Sequence, residues 1–401
     1  MFAPESFDLR ALPADFYDDP FPYYRALRER DPVHLMPDGA YFLTRYADIL
    51  EIYRDPKTFS SDKKVEFHPK YGDSPLYEHH TTSLVFNDPP LHTRVRRLIM
   101  GALSPKAIAA MEPALIALVD RLLDGIEKQQ RADLIPEFAA AIPVEVIGNL
   151  LGVPHQERGP LRRWSLAILS ALEPSLSPEI SQAGNLAVTE FLDYLRTLVA
   201  DRTRHPGDPE KDVLTRLIQG EPDGERLTET ELLHNCIFIL NAGHETTTNL
   251  IGNALQLLLE WPDQQALLRS NPGLIGTAVE EFLRMESSNQ LGNRLTARAV
   301  DVGGVPFPPA TQITLCIGAA NRDPAQFPDP DRLDIQRSPN RHLAFGSGPH
   351  QCAGMHVSRL EGRIAISRFL ARFPNYRTAA PPVRSRRARF RGYVALRIEV
   401  G

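Results

Sequence analysis

The strongest constraint on how this chain folds is one short run, Phe345-Gly346-Ser347-Gly348-Pro349-His350-Gln351-Cys352-Ala353-Gly354. Its cysteine ends a glycine-lined turn, and the next segment, Met355 to Phe369, carries Val357, Leu360 and Ile364 at helical spacing. The sulfur therefore stands near the free N–H groups and positive end of a helix. Both features lower a thiol's pKa and favour metal ligation. Gly346 and Gly354 let the chain curl round a sulfur and approach a bulky ligand closely, because no Cβ intervenes. Phe345 supplies an apolar wall. Taken alone, a lone cysteine after a Gly-rich turn is as well explained by a buried structural role.

The remaining features bound the class of protein. With 401 residues, 42% of them hydrophobic, the chain can bury a large core, and no long Pro/Gly/Ser-rich linker divides it. One domain over 1–401 is expected. Its three cysteines, Cys236, Cys316 and Cys352, are odd in number and far apart, which argues against a disulfide framework and for a reducing, cytoplasmic setting. Neither a basic-then-apolar leader nor eighteen uninterrupted apolar residues occurs, so no signal peptide or membrane anchor is expected. A net charge of −5 gives no reason to expect nucleic acid. The basic run Arg384, Arg386, Arg387, Arg389 and Arg391 passes into alternating Phe390, Gly392, Val394, Leu396 and Ile398, the pattern of terminal strands with a solvated face.

Most of the chain has helical periodicity, so a mainly α fold with small β-sheets is predicted. Helices punctuated by prolines are expected from about Ser104 to Leu151, from Gln156 to Arg204, and from Thr228 to the end of the Ile275–Met285 segment. Strand-like pieces cluster at Val33 to Tyr46, Arg294 to Ile317 and the last dozen residues.

One predicted helix begins at the capping box Thr228-x-x-Glu231 and runs to Trp261, where Pro262 stops it. It spans roughly 50 Å. Its middle, Ala242-Gly243-His244-Glu245-Thr246-Thr247-Thr248, is poor helix-forming sequence, so local stability has been given up there for function. Ala242 and Thr246 lie one turn apart on one face, leaving space beside a hydroxyl, with the acid Glu245 next to it. Such an acid and alcohol can relay protons. His244 with Glu245 makes a poor metal pair, because adjacent helix positions point in different directions.

Two further constellations stand out. Glu281-Phe282-Leu283-Arg284 sets an acid and a base at i, i+3. After the double proline Pro89-Pro90, His92 and Arg96 stand at i, i+4 on a predicted helix and can face one anion, while Arg94 and Arg97 point elsewhere.

These motifs together resemble the cytochrome P450 superfamily of thiolate-haem monooxygenases, in the soluble bacterial form: Phe-x-x-Gly-x-x-x-Cys-x-Gly, Ala-Gly-x-Glu-Thr and Glu-x-x-Arg. The resemblance implies haem b (iron protoporphyrin IX) held between the long distal helix and the proximal cysteine loop, with Cys352 as iron ligand. Further implied contacts to the cofactor are Ala242, Gly243, Phe345, Gly346 and Gly354, with His92, Arg96, Arg294 and His350 on its propionates. Glu245 and Thr246 would activate oxygen. Arg332, in Phe327-Pro328-Asp329-Pro330-Asp331-Arg332, would complete a structural network with Glu281 and Arg284.

By the same resemblance, Leu84, Val85, Leu169, Ile239, Ser288, Asn289, Leu291, Tyr393 and Val394 line the distal pocket, which suits an apolar or aromatic small molecule. His79, His80, Ser288 and Asn289 could add a polar anchor to it or be loop residues facing water, the latter being the preferred reading for the two histidines. The implied reaction inserts one atom of O2 by hydroxylation or dealkylation. Because the chain carries no flavin, nicotinamide or iron–sulfur motif, electrons would come from NAD(P)H through a 2Fe-2S ferredoxin and its reductase, docking near Arg97, Lys106, Arg341 and Arg359 on a monomer. Two other readings stay open: a peroxide-using or coupling haem-thiolate enzyme, and a non-catalytic haem sensor or ligand-binding protein.

Overall fold

The computed structural model describes residues 3–209, 212–220 and 224–401. Its axis is the helix Glu229–Glu260, hereafter the long helix. Both arms of the predicted capping box form: Glu231 N–H donates to Thr228 Oγ1 at 3.2 Å, and Thr228 N–H donates to Glu231 Oε2 at 2.9 Å. The Gly/Thr-rich middle stays helical because neighbours clamp it. A Cβ on Gly243 would come within 2.6 Å of Ile147, so propensity yields to packing here.

The helix Met355–Arg372 after the cysteine, the proximal helix, crosses the long helix where Thr247 Oγ1 meets Ser358 Oγ at 3.5 Å. Gly362 permits this approach, since a Cβ there would lie 3.1 Å from Leu250. Ile275–Met285 packs against both helices. Around them, Leu250, Ile251, Leu255, Ile366 and Phe369 join a large core with Phe138, Phe191 and Val188.

The first two helical stretches are divided in the structure, as their prolines suggest, at positions the sequence reading left open. The stretch from Ser104 to Leu151 holds Pro105–Gln129, then Gln130 in left-handed backbone (φ 57°), the strand Arg131–Asp133, a π turn at Ile135–Ala139 and the helix Ala141–Leu150. Likewise, Gly159–Ser170 stops before Pro174, and Pro178–Arg204 starts afresh with Ser177 capping Ile180 N–H at 3.3 Å. Ser-Pro there is a start signal that the longer periodicity concealed.

The largest sheet orders its strands as Val33–Leu35, Tyr41–Leu43, Gln312–Cys316, Leu291–Thr296 and Phe59–Ser60. Tyr41–Leu43 pairs in parallel with Gln312–Cys316, and the other pairings are antiparallel. The last strand, Arg397–Glu399, sits between Arg131–Asp133 and Arg377–Thr378. Among the described residues no single helix is long and apolar enough to cross a membrane; one bent pair, Leu91–Ala102 with Pro105–Gln129, passes by length and composition across a 49° break.

Candidate active site

Gly346 (φ 64°) and Gly348 (φ 68°) take left-handed backbone, and a Cβ on Gly348 would lie 2.1 Å from the Tyr53 carbonyl oxygen. The loop closes when Cys352 N–H donates to Phe345 O at 2.9 Å. Burial pushes the Cys352 thiol up, opposed by the Gly354 N–H and by the cations Arg96 and Arg359. Those opposing groups favour a thiolate once a metal repays the desolvation. Arg359 stands over the Phe345 ring, 4.8 Å from its centroid, and donates to Glu280 through two 2.7 Å bonds.

The long helix is buried along most of its length but opens at its middle. Ala242 is exposed there, with half-buried Phe238, Ile239, Gly243 and Thr246 around it. An exposed alanine at the centre of a 32-residue core helix marks an internal cleft. Thr246 Oγ1 donates to Ala242 O at 2.7 Å. Glu245, one residue back, is buried, and burial raises its carboxyl pKa against the pull of Arg387, with which it forms a short ion pair. His244 points into the core on another side with both ring nitrogens unpartnered. Among the described residues no group of three His, Cys, Asp or Glu side chains is arranged to hold a metal ion.

Two cations, Arg96 and Arg294, and two imidazoles, His92 and His350, converge beside the cysteine loop. The His92 and His350 rings lie 3.8 Å apart, and the Nε2 atom of each is buried without a partner. Burial, then neighbouring Arg96, pushes His92 down to about 4; burial, then Arg294, pushes His350 down to about 2. No carboxylate bonds Arg96 or Arg294 among the described residues. Two orphaned imidazole nitrogens beside two guanidiniums with no carboxylate partner fit an anion, and the two propionates of haem would supply that charge. Together with the thiol and the open helix midsection, this donor set fits haem. Arg94 and Arg97 turn away to Glu231 and Glu225.

The ion network beneath the site differs from expectation in one member. Glu281 and Arg284 are fully buried and joined by bonds of 2.7 and 2.8 Å. The third member is Arg337, whose Nε reaches both Glu281 oxygens at 3.2 Å. Arg332 does not take this place: its side chain is 64% exposed, with Nη2 3.9 Å from Asp263, and only its carbonyl joins the network, accepting from Arg284 at 3.1 Å. The turn at Asp329, in left-handed backbone, directs Arg332 outward and lets the chain return with Arg337 inward. Asn340 and the Asp334 N–H complete the carboxylate's partners at 3.0 and 2.9 Å.

The expected pocket residues divide. Leu84 is fixed against the long helix by Asn235, whose Oδ1 accepts the Leu84 N–H at 3.0 Å, and Val85 follows it half-buried. Leu169 is buried, Ile239 lies on the open stripe, and Ser288 and Asn289 each hold a buried unpartnered oxygen. Leu291 instead packs with Phe7, Tyr24 and Phe42 in the N-terminal cluster. Tyr393 joins the main core with the Arg384 guanidinium 4.0 Å over its ring, and Val394 is 56% exposed on the outer side of its strand. His79 and His80, expected in water, are both buried.

The terminal basic run is not a solvated face. Arg387 donates to Glu173 at 3.1 Å and to Glu245. Arg389 donates to the carbonyls of Leu172 and Leu291 at 3.1 and 2.7 Å, and Arg391 to Glu286 at 2.7 Å. Alternation identified the strands, but nothing in the run reveals that its cations have buried carboxylates waiting 105 to 214 residues away. Arg387 is thus the site residue that sequence reasoning missed.

Comparison with known proteins agrees with this geometry. The family model for Cytochrome P450 matches residues 162–272 and 274–381. The chain is 36% identical over 369 residues to the biotin biosynthesis cytochrome P450 of Bacillus subtilis, covering 91% of this chain and 92% of that one. It is 39% identical over 364 residues to the vitamin D(3) 25-hydroxylase of Pseudonocardia autotrophica, covering 90% and 87%. The crystal structure of P450BioI in complex with a hexadec-9Z-enoic acid-ligated acyl carrier protein superposes with a TM-score of 0.91 at 34% identity, covering 97% of this chain and all of the other.

Proposed function

Because this chain belongs to the cytochrome P450 family and is a P450 monooxygenase, we infer that it inserts one oxygen atom from O2 into an apolar or aromatic small molecule by hydroxylation or dealkylation. The observation that carries this is the pairing of Cys352, in its glycine cradle, with the open midsection of the long helix that presents Thr246. When bound, haem b supplies the redox chemistry that activates oxygen.

The residues of the chain do the rest. Cys352 would ligate the iron, and His92, Arg96, Arg294 and His350 would hold the propionates. Ala242 and Gly243 keep the distal surface clear of side chains. The Thr246 hydroxyl can turn from the Ala242 carbonyl to hold a proton at its Oγ1. Glu245, with its pKa raised by burial, can hand a proton on to Thr246. Leu84, Leu169 and Ile239 would exclude water and orient the apolar body of the substrate. This acid–alcohol pair favours oxygen activation over the peroxide-using and coupling alternatives.

We further read the protein as a single-domain cytoplasmic monomer. It would draw electrons from NAD(P)H through a separate ferredoxin and reductase. The test is the carbon monoxide difference spectrum of dithionite-reduced protein, followed by NADH-coupled oxygen consumption with added partners. The red-shifted Soret band of thiolate ligation is expected, with substrate-dependent turnover. A histidine-type band or no haem refutes the reading, and thiolate haem without turnover favours a sensor.

A further inference from the structure

The helix Pro75–Thr82 is pinned at its start. Ser74 caps it, accepting the Tyr77 N–H at 3.3 Å, and Asn185 Oδ1 accepts the Leu76 N–H at 3.0 Å. At its far end the chain turns into Leu84–Phe86, where the long helix takes hold through one amide. Asn235 Nδ2 donates to the Glu231 carbonyl one turn back at 2.8 Å, which aims Oδ1 outward to accept the Leu84 N–H at 3.0 Å. Asn235 stands seven residues before Ala242, two turns away and within roughly 20° of the same direction. Leu84 therefore lies across the open stripe about 10 Å from Ala242 along the axis, and Leu84–Phe86 forms one end wall of the cleft.

His79 and His80 occupy the last turn before that wall. The His79 carbonyl accepts from the Ser83 N–H at 3.0 Å and from its hydroxyl at 2.6 Å. The His79 ring meets two residues of the long helix, with Asn241 Nδ2 3.4 Å from its Nε2 and the His234 ring centroid 5.7 Å away. The His80 ring lies 5.1 Å from that of His79 and is caged by Phe67, Tyr71 and Phe86 at 5.8, 5.3 and 5.8 Å. Phe86 is itself part of the wall. All three imidazoles are buried, and they are not arranged to hold a metal ion.

These rings face more positive charge than negative. Lys70 and Arg389 act on His80, and Arg196 acts on His234. Glu78, largely exposed, approaches His234 at 3.8 Å. Glu66 and Glu173, which act on Lys70, are bonded to Lys63 and Arg387. Burial, then the other two imidazoles, holds His79 well below its ordinary range; burial, then Lys70 and Arg389, pushes His80 down to about 3. Water can satisfy the unpartnered ring nitrogens, but it cannot supply the negative charge that protonated rings would need here.

We propose that His79 and His80 are positioning residues that keep Leu84–Phe86 against the long helix only while both rings are uncharged, so that mild acid swings this wall outward and opens the cleft. The proposal rests on the monooxygenase reading and adds a regulation of its cleft. Once the wall is displaced, both rings meet water and titrate near their ordinary value of about 6.5. Below that pH the open form binds two protons that the closed form refuses, so opening is favoured as pH falls. At pH 5.5 each ring multiplies the opening constant by about tenfold, about a hundredfold together.

The test is deuterium exchange of the haem-loaded protein, corrected for the intrinsic pH dependence of exchange. Between pH 8 and 5.5, protection at residues 79–86 should fall by about a hundredfold while residues 250–258 of the long helix stay protected. His80→Phe, which suits the aromatic cage, and His79→Gln, which still accepts from Asn241, should each reduce that fall to about tenfold, and the double variant should abolish it. Stopped-flow binding of phenyl isocyanide, which does not titrate in this range, to the dithionite-reduced protein should quicken with the same profile and flatten in the same variants. A wild-type fall below about threefold, equal loosening of residues 250–258, or a double variant with the wild-type profile overturns the role of the pair. An isocyanide rate that ignores pH overturns the opening of the cleft. Absence of the thiolate carbon monoxide band overturns the monooxygenase reading alone and leaves exchange to judge the histidines, so the two failures are distinguishable.

Discussion

Replacing Arg337 by alanine tests how the proximal core is held, and Arg332→Ala is its built-in control. Arg337 gives two 3.2 Å contacts to a carboxylate with no exposed surface, and its Nη1 donates to the Pro328 carbonyl at 2.8 Å. Its loss leaves Glu281 with a single cation in a low-dielectric interior. Removing one partner from a buried charged pair costs about 3–5 kcal/mol. Arg332 makes one 3.9 Å approach to Asp263, and both groups are more than half exposed. An exposed pair of that kind contributes about 0–1 kcal/mol, reduced further by solvent screening. The Arg332 carbonyl that accepts from Arg284 survives any change of side chain. The two variants should therefore differ by at least about 2 kcal/mol, roughly thirtyfold in the folding equilibrium. Urea titration of the thiolate carbon monoxide band reads the difference directly. Equal midpoints, or a greater loss in Arg332→Ala, would refute the assignment of Arg337.

Thr246→Ala should retain haem and its spectrum while coupling between NADH use and product falls several-fold; peroxide release measures the leak, and full coupling would sink the relay role. Glu361, buried on the proximal helix beside Thr247, is raised by burial to about 8. Between pH 4.5 and 8 the folded state keeps a proton that the unfolded state has lost, so stability falls as pH rises through this window. Glu361→Gln should thus match wild type near pH 5 and exceed it by on the order of 2–4 kcal/mol near pH 8; denaturant midpoints at the two values check this, and parallel pH profiles would refute it. Glu281→Ala, which leaves Arg284 charged and buried, should yield little haem-loaded protein on purification.

What could be read from the sequence was whatever rests on local pattern. Thr228-x-x-Glu231 and Pro262 bound the long helix because caps and stops act within a turn. The cysteine loop was legible because its glycines and Cys352 are contiguous, and His92 with Arg96 because i, i+4 spacing sets a shared face. Partners chosen by tertiary folding were not legible. Arg332 and Arg337 are equally basic and five residues apart; only the turn at Asp329 decides which faces Glu281. The terminal arginines misled because alternation reports strand register, whereas their burial depends on Glu173, Glu245 and Glu286 from distant segments. Val394 misled for a related reason: its strand was identified, but the side facing the cleft was not.

The crowding of His92, His350, Arg96 and Arg294 has a consequence for how this protein is made. Two guanidiniums and two neutral imidazoles, from the loop before Cys352, the helix Leu91–Ala102 and the strand Leu291–Thr296, face one another there. Among the described residues, the strand and the helix are linked only through Ser60, Ser61 and Asp88, and a bound dianion would join both to the cysteine loop as a keystone. A ligand that binds only the folded chain stabilises it by mass action, so haem supply would raise the share of chain that escapes proteolysis.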